Sequence, residues 1–158
     1  MKKPLLISAL AILFFIAACN GNKGKTANQN ATDTVSNATP ECYIAIFEKD
    51  TAYLNIQRTD TAKVQGDLLI KYGSNPKNEG KLAGQFRGDT LFADYTYTVG
   101  TYKEKINKNP LAFLVKGDSL ILGIGQIETY VGRSYFKPGA PIDFDKGRFR
   151  FVKTECGK

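Results

Sequence analysis

Between Gly80 and Val99 the side-chain character switches with a period of two. Leu82, Gly84 and Phe86 fall on one face and Gly88-Asp89 makes a turn. On the return, Leu91, Ala93, Tyr95 and Tyr97 alternate with Phe92, Asp94, Thr96 and Thr98. That period belongs to β-strands, whose successive side chains point to opposite faces. Glycine inside a strand weakens it unless the chain must bend or another backbone comes close. Gly80 and Gly84 therefore predict a strongly curved sheet, as in a small barrel.

The rest of the chain beyond residue 40 has the same texture, and nowhere does it sustain apolar residues at helical spacing. Tyr43–Phe47 and Tyr53–Gln57 flank Lys49-Asp50 as a hairpin, and Ala62–Tyr72 reads as a third strand broken at Gly66-Asp67. Asn75-Pro76-Lys77-Asn78 is turn chemistry. Leu111–Val115 and Leu120–Gly125 form a further hairpin, Lys103 to Pro110 reads as a loop, and Gln126–Phe136 reads as a strand plus a loop. Pro138-Gly139-Ala140-Pro141 excludes regular structure, Ile142–Asp145 suits a short helical turn, and Arg148–Thr154 is a last strand with Phe149 and Phe151 on one face. Gly-Asp recurs at Gly66, Gly88 and Gly117. The second and third copies lie between hydrophobic runs and suit hairpin turns, since Gly tolerates positive φ and Asp bonds its own local backbone. The expected fold is all-β: an antiparallel up-and-down meander of about eight strands closed as a small barrel, with a β-sandwich as the alternative.

The N-terminus has a different character. Lys2 and Lys3 precede Leu5–Ile16, a run of twelve residues without a charge, which is the pattern of a secretory signal. The run is short for a membrane span, which needs about 20 apolar residues. Ile16-Ala17-Ala18-Cys19 closes it and resembles the lipobox of bacterial lipoproteins. The resemblance implies removal of residues 1–18 as a signal peptide and a Cys19 carrying a thioether-linked diacylglycerol and an N-acyl chain. Such acyl chains hold a protein to a membrane at about 0.8 kcal/mol per buried methylene. Asn20 is not the acidic residue expected of inner-membrane retention, so the expected location is the cell envelope at the outer membrane. Residues 19–40 hold no aromatic side chain and, among larger aliphatics, only Val35. That composition predicts a flexible tether with a reach of roughly 25 Å. Residues 41–158 form the barrel domain. With Cys19 committed to lipid, Cys42 and Cys156 remain, and in an oxidising compartment an even pair reads as a disulfide, the alternative being two buried free thiols.

Gly80-Lys81-Leu82-Ala83-Gly84-Gln85-Phe86-Arg87-Gly88-Asp89-Thr90-Leu91 resembles the glycine-alternating hairpin of calycin-like and lipocalin-like envelope lipoproteins. An eight-strand barrel can hold one small molecule if its inward side chains leave room. Tyr95, Tyr97, Tyr102, Tyr130 and Tyr135 are the candidate ligand-binding residues, set against the plain enrichment of tyrosine in strands. The chain has no histidine, which excludes Ser-His-Asp, Cys-His and His-based metal sites, and it has no Cys-x-x-Cys pair. Asp94, Glu104, Glu128, Asp143 and Asp145 are the carboxylates open to acid–base work, and solvated surface acids are the better reading. No enzyme activity, cofactor or metal is expected. The formal charge falls from +7 to +5 once Lys2 and Lys3 are removed. With no basic run of five, the charge reads as solvated surface, and no nucleic-acid partner is expected for an exported chain. Arg87-Gly88-Asp89 spells an adhesion tripeptide that is too short to carry weight. Asp33-Thr34-Val35, Asp50-Thr51-Ala52, Asp60-Thr61-Ala62 and Asp89-Thr90-Leu91 resemble the acceptor triplet of envelope O-glycosylation systems. Two functions are expected from this reading. One is a lipid-anchored module for a small apolar or amphipathic ligand. The other is a protein-protein accessory or inhibitor acting through its loops, although +5 argues against blocking a basic enzyme such as lysozyme.

Overall fold

The structure is a computed structural model that describes residues 38–157. The signal segment, Cys19, Thr34 and the tether up to residue 37 lie outside the described residues. Among the described residues ten strands form: β1 (Glu41–Phe47), β2 (Asp50–Arg58), β3 (Lys63–Lys71), β4 (Asn78–Arg87), β5 (Thr90–Val99), β6 (Tyr102–Lys116), β7 (Ser119–Leu122), β8 (Ile127–Tyr130), β9 (Arg133–Phe136) and β10 (Arg150–Thr154). β1 to β7 pair in chain order, β7 pairs β10, and β10 pairs β1, so the sheet closes into a barrel in which every neighbour is antiparallel. This is the up-and-down barrel that the strand pattern predicts. β8 and β9 pair with each other as a separate two-stranded sheet between β7 and β10. No helix occurs among the described residues.

Alternation fixes which residues fill the barrel. Leu54 stands opposite Tyr43 on β1 and Leu68 on β3. Leu82 faces Gly66 and Tyr95, and Leu91 faces Phe113. The strands thus present one continuous inward set. Leu54, Val64, Leu68, Leu82, Leu91, Phe113 and Phe151 are each under 2 % exposed, and Phe113 and Phe151 meet edge to face at 5.7 Å. Burying side chains of this size stabilises the fold by roughly 1.5–3 kcal/mol apiece. Arg58 lies over Phe86 at 4.4 Å near one end, and Arg148 lies over Phe47 at 5.8 Å near the other. The interior is occupied by side chains, as barrels of about eight strands allow.

The glycines of β4 mark where the wall bends most tightly. A Cβ on Gly84 would stand 2.2 Å from the Phe92 carbonyl oxygen, and one on Gly80 would stand 2.0 Å from that of Thr96. Gly66 obeys the same rule, its Cβ position falling 2.0 Å from the Asn55 oxygen. The expected break at Gly66-Asp67 is therefore a bend within the unbroken strand β3. Gly88-Asp89 and Gly117-Asp118 are two-residue hairpin turns with positive φ at the glycine, 62° and 61°. The first hairpin turns on Glu48-Lys49, one residue earlier than expected, with Phe47 opposite Asp50.

Three other local expectations change. Lys103 to Pro110 is not a loop: it is the first half of β6, paired with β5 from Asn107 onward, with a register shift between Tyr97 and Val99. Pro110 is buried but lies beyond the last β6–β7 pair at Phe113, where no β7 residue calls for its missing N–H. Ile142–Asp145 makes no helical turn. Asp143 bridges back to Ile124, and its Oδ1 accepts the Asp145 and Lys146 N–H groups, both at 3.0 Å, which holds an Asx-type turn. Gln126–Phe136 contains two strands rather than one.

Cys42 and Cys156 are joined by a disulfide, with Cα atoms 5.1 Å apart. It sits at the barrel's closing seam, since Cys42 stands opposite Thr154 of β10.

Candidate functional site

Between β7 and β10 the chain from Gly123 to Phe144 lies against the outside of the wall, and Phe149 rejoins the core with its ring 6.0 Å from that of Phe151. The Gly123 N–H donates to the Ala112 oxygen at 2.9 Å, Ile124 and Asp143 exchange two backbone bonds, and the Lys137 N–H donates to the Gln126 oxygen at 2.8 Å. A Cβ at Gly123 would meet Ile142 and the Phe144 ring, and one at Gly125 the Phe136 ring, all within 3 Å. Alternation places Ala112 and Ile121 on the outward face, yet they are 0 % and 4 % exposed. The outer wall of β5–β7 is thus an internal surface of the domain.

Beside this contact the hairpin β8–β9 and the loop after it stand over the outward faces of β4–β6 and leave a cleft of about 930 Å³. Its floor follows from the strand register. Lys63, Gln85 and Phe92 form one cross-strand row, and Ala83, Asp94 and Pro110 form the next. The roof comes from Tyr135, Phe136 and the chain from Lys137 to Ile142. Arg87 lays its guanidinium over Phe92 at 5.0 Å. Asp94 is held by Lys108 at 2.9 Å and reached by Arg133 of the hairpin at 3.8 Å, which ties roof to floor. The volume is within the range of ligand clefts, roughly 300–1,000 Å³.

The five tyrosines do not converge. Tyr95, 2 % exposed, points into the barrel and donates its hydroxyl to the Leu68 carbonyl at 2.9 Å. Tyr97 stacks on it at 4.6 Å and accepts from Asn109. Burial, with smaller contributions from the Tyr72 and Tyr97 phenols, pushes the Tyr95 hydroxyl well above its ordinary pKa. Tyr102 is exposed at the β5–β6 turn and Tyr130 at the hairpin tip. Tyr135 alone of the five lines the cleft.

Of the candidate carboxylates, Asp94 is paired as above, Glu128 with Lys137 at 3.6 Å, and Asp143 with Lys146 at 3.1 Å. The Lys146 backbone N–H, then its ammonium, holds Asp143 below the usual carboxylate range. Among the described residues no group of three or more metal-ligating side chains forms. Of the three Asp-Thr triplets within the described residues, Thr61 lies exposed in the β2–β3 loop, Thr51 is half-buried in β2 and Thr90 is buried. Sequence reasoning passed over Phe92, Phe136, Lys63 and Arg87 as site residues. The available signal was Phe92, an aromatic side chain among the otherwise polar outward residues of β5.

No protein-family model, curated protein or solved structure matches this chain.

Proposed function

We propose that this chain is a lipid-anchored binding module of a bacterial cell envelope, moored by acyl groups on Cys19 at the outer membrane. In this reading it holds a small apolar or amphipathic ligand in the cleft between hairpin β8–β9 and the barrel wall. The observation that carries the reading is the pairing of a filled barrel interior with an aromatic-floored cleft outside it. The ligand site moves from the barrel axis to its flank, and Tyr135 is the candidate tyrosine that remains in it. The anchor rests on the sequence Ile16-Ala17-Ala18-Cys19.

Native mass spectrometry after mild extraction tests the module. A bound small mass that is lost in Phe92→Asp supports it, and a chain that carries nothing under any extraction condition counts against it. Metabolic labelling with a fatty acid tests the anchor: label should mark the wild type and not Cys19→Ser, and label that persists in the variant refutes the anchor.

A second reading, an accessory subunit or inhibitor that acts through its loops, is favoured by the tip of the hairpin. Tyr130 and Val131 are 72 % and 85 % exposed, and Val131 has φ of 49°, a conformation unfavourable to a β-branched residue. A co-purifying polypeptide lost on Tyr130→Ser with Val131→Ser would support this reading.

A further inference from the structure

Resting on the cleft reading above, we infer that its ligand is an anionic amphiphile, with the acidic group seated at Lys63 and Arg87 and the apolar body lying on Phe92 toward Phe136 and Ile142. The charges that line the cleft are unbalanced. Lys63, Arg87, Arg133 and Lys137 border it, while Asp94 is its one carboxylate among the described residues. Asp94 is already engaged by Lys108 and Arg133, and Lys137 is engaged by Glu128 outside the lining. Neither Lys63 nor Arg87 has a carboxylate within 4.0 Å among the described residues.

The strand register gathers these two cations at one end. Lys63 stands opposite Gln85, and Arg87 follows two residues later on the same outward face of β4. Contact with Phe92 sets the guanidinium over the floor, 5.0 Å from the ring centre. A planar guanidinium held this way can give two parallel hydrogen bonds to a carboxylate or phosphate, and an ammonium beside it adds a point charge. Among the described residues the rest of the lining carries no further unpaired cation; Phe92, Pro110, Phe136 and Ile142 offer an alkyl or aromatic body apolar contact, with Gln85, Ser134 and Tyr135 as the neutral polar groups among them. The cleft thus has a cationic end and an apolar end, and a ligand with the complementary polarity fits in one orientation. That ligand could be a free acid or the anionic headgroup and first methylenes of a membrane lipid.

The test is photolabelling of the full mature protein in membranes with a photoreactive ten-carbon acid and its matched alcohol, with labelled peptides mapped by mass spectrometry. The acid should label peptides that contain Phe92 or Phe136, and decanoate should compete at least about tenfold better than decanol or decylamine. Arg87→Gln with Lys63→Gln should weaken labelling by the acid about tenfold and leave labelling by the alcohol unchanged. An unchanged circular-dichroism spectrum guards against misfolding of that variant. Competition by free decanoate, or by phosphatidylglycerol vesicles where phosphatidylcholine fails, distinguishes the two sources, and either supports the inference. If the alcohol labels the cleft as well as the acid does, and the double variant changes neither, the cleft reading stands and the anionic ligand is overturned. If neither probe labels cleft peptides in the wild type, the cleft reading falls and takes this inference with it.

Discussion

Replacing Cys42 and Cys156 together by alanine removes the cross-link at the barrel seam without leaving a lone thiol. The bond spans a sequence separation of 114 residues, and in the chain-entropy account closing a loop of that length stabilises the fold by about 5 kcal/mol. Measured values often fall lower, so the expected loss is about 3 to 5 kcal/mol. The seam has little to compensate with. β10 is five residues long and meets β1 and β7 through three register pairs each. Set against a domain stability of about 5 to 15 kcal/mol, the loss is a large fraction of the whole. Urea unfolding followed by far-UV circular dichroism and tyrosine fluorescence suits a chain without tryptophan. With a slope near 1 to 3 kcal/mol per molar, the midpoint should fall by roughly 2 M. A reduced wild type should behave as the double variant does. Midpoints that agree within about 0.3 M would show that the seam holds without its cross-link and would refute the argument.

Gly84→Ala should destabilise the barrel by about 3 kcal/mol or more, because the new Cβ meets backbone and not a movable side chain. Gly88→Ala, with open space but φ of 62°, should cost about 1 to 2 kcal/mol, and the reverse order of the two in thermal melts would contradict the steric account. Val131-Gly132 turns the outer hairpin with φ of 49° and 73°, the pattern of a type I′ turn that prefers Asn-Gly. Val131→Asn should therefore protect the β8–β9 amides from hydrogen exchange, by about fivefold for a gain near 1 kcal/mol; unchanged exchange would count against the turn assignment. Tyr95→Phe should cost about 1 kcal/mol at neutral pH through the hydrogen bond lost to Leu68. Tyr43 and Tyr95 are also held protonated in the fold, chiefly by burial. Below pH 10 their contribution to stability is fully present; above it the unfolded chain ionises first and stability falls by about 1.4 kcal/mol per pH unit for each phenol. The alkaline limb of a stability–pH profile should be shallower in Tyr95→Phe, and an identical limb would exclude this origin.

Much of the barrel is legible because its wall separates two solvents. Where one strand face meets the core and the other meets water, as at Leu91, Ala93 and Tyr95 against Asp94 and Thr96, alternation reports the burial directly. The signal vanishes where both faces are wet. Lys103 to Asn109 is a strand with no buried position, so it carries no period and reads as a loop. Glycine is ambiguous for a related reason. The absence of Cβ at Gly66 serves a close backbone approach within a strand, while at Gly88 it serves a turn, and only the neighbouring backbone distinguishes them. The sequence leaves Cys42 and Cys156 as an even pair, and the closing of β10 on β1 brings them together.

The cleft was illegible because it is made from positions that a barrel normally leaves to solvent. With Leu54, Phe113 and Phe151 buried in its interior, the barrel gains its cleft of about 930 Å³ by covering part of its outside. The stretch from Gly123 to Phe144 does so, and its irregular composition follows from that work. Gly123 and Gly125 let aromatic rings close over the chain, Pro138-Gly139-Ala140-Pro141 turns it without helix or strand, and Asp143 fastens its return by accepting two N–H groups. The polar contacts that join this stretch to the wall are few, the Gly123–Ala112 bond and the exposed Arg133–Asp94 contact, beside the apolar cover that buries Ala112 and Ile121. An exposed ion pair contributes about 1 kcal/mol or less, so the hairpin is held chiefly at its base. The floor is the barrel wall and the roof a hairpin joined to it by few polar contacts, and the cleft between them stands open to solvent.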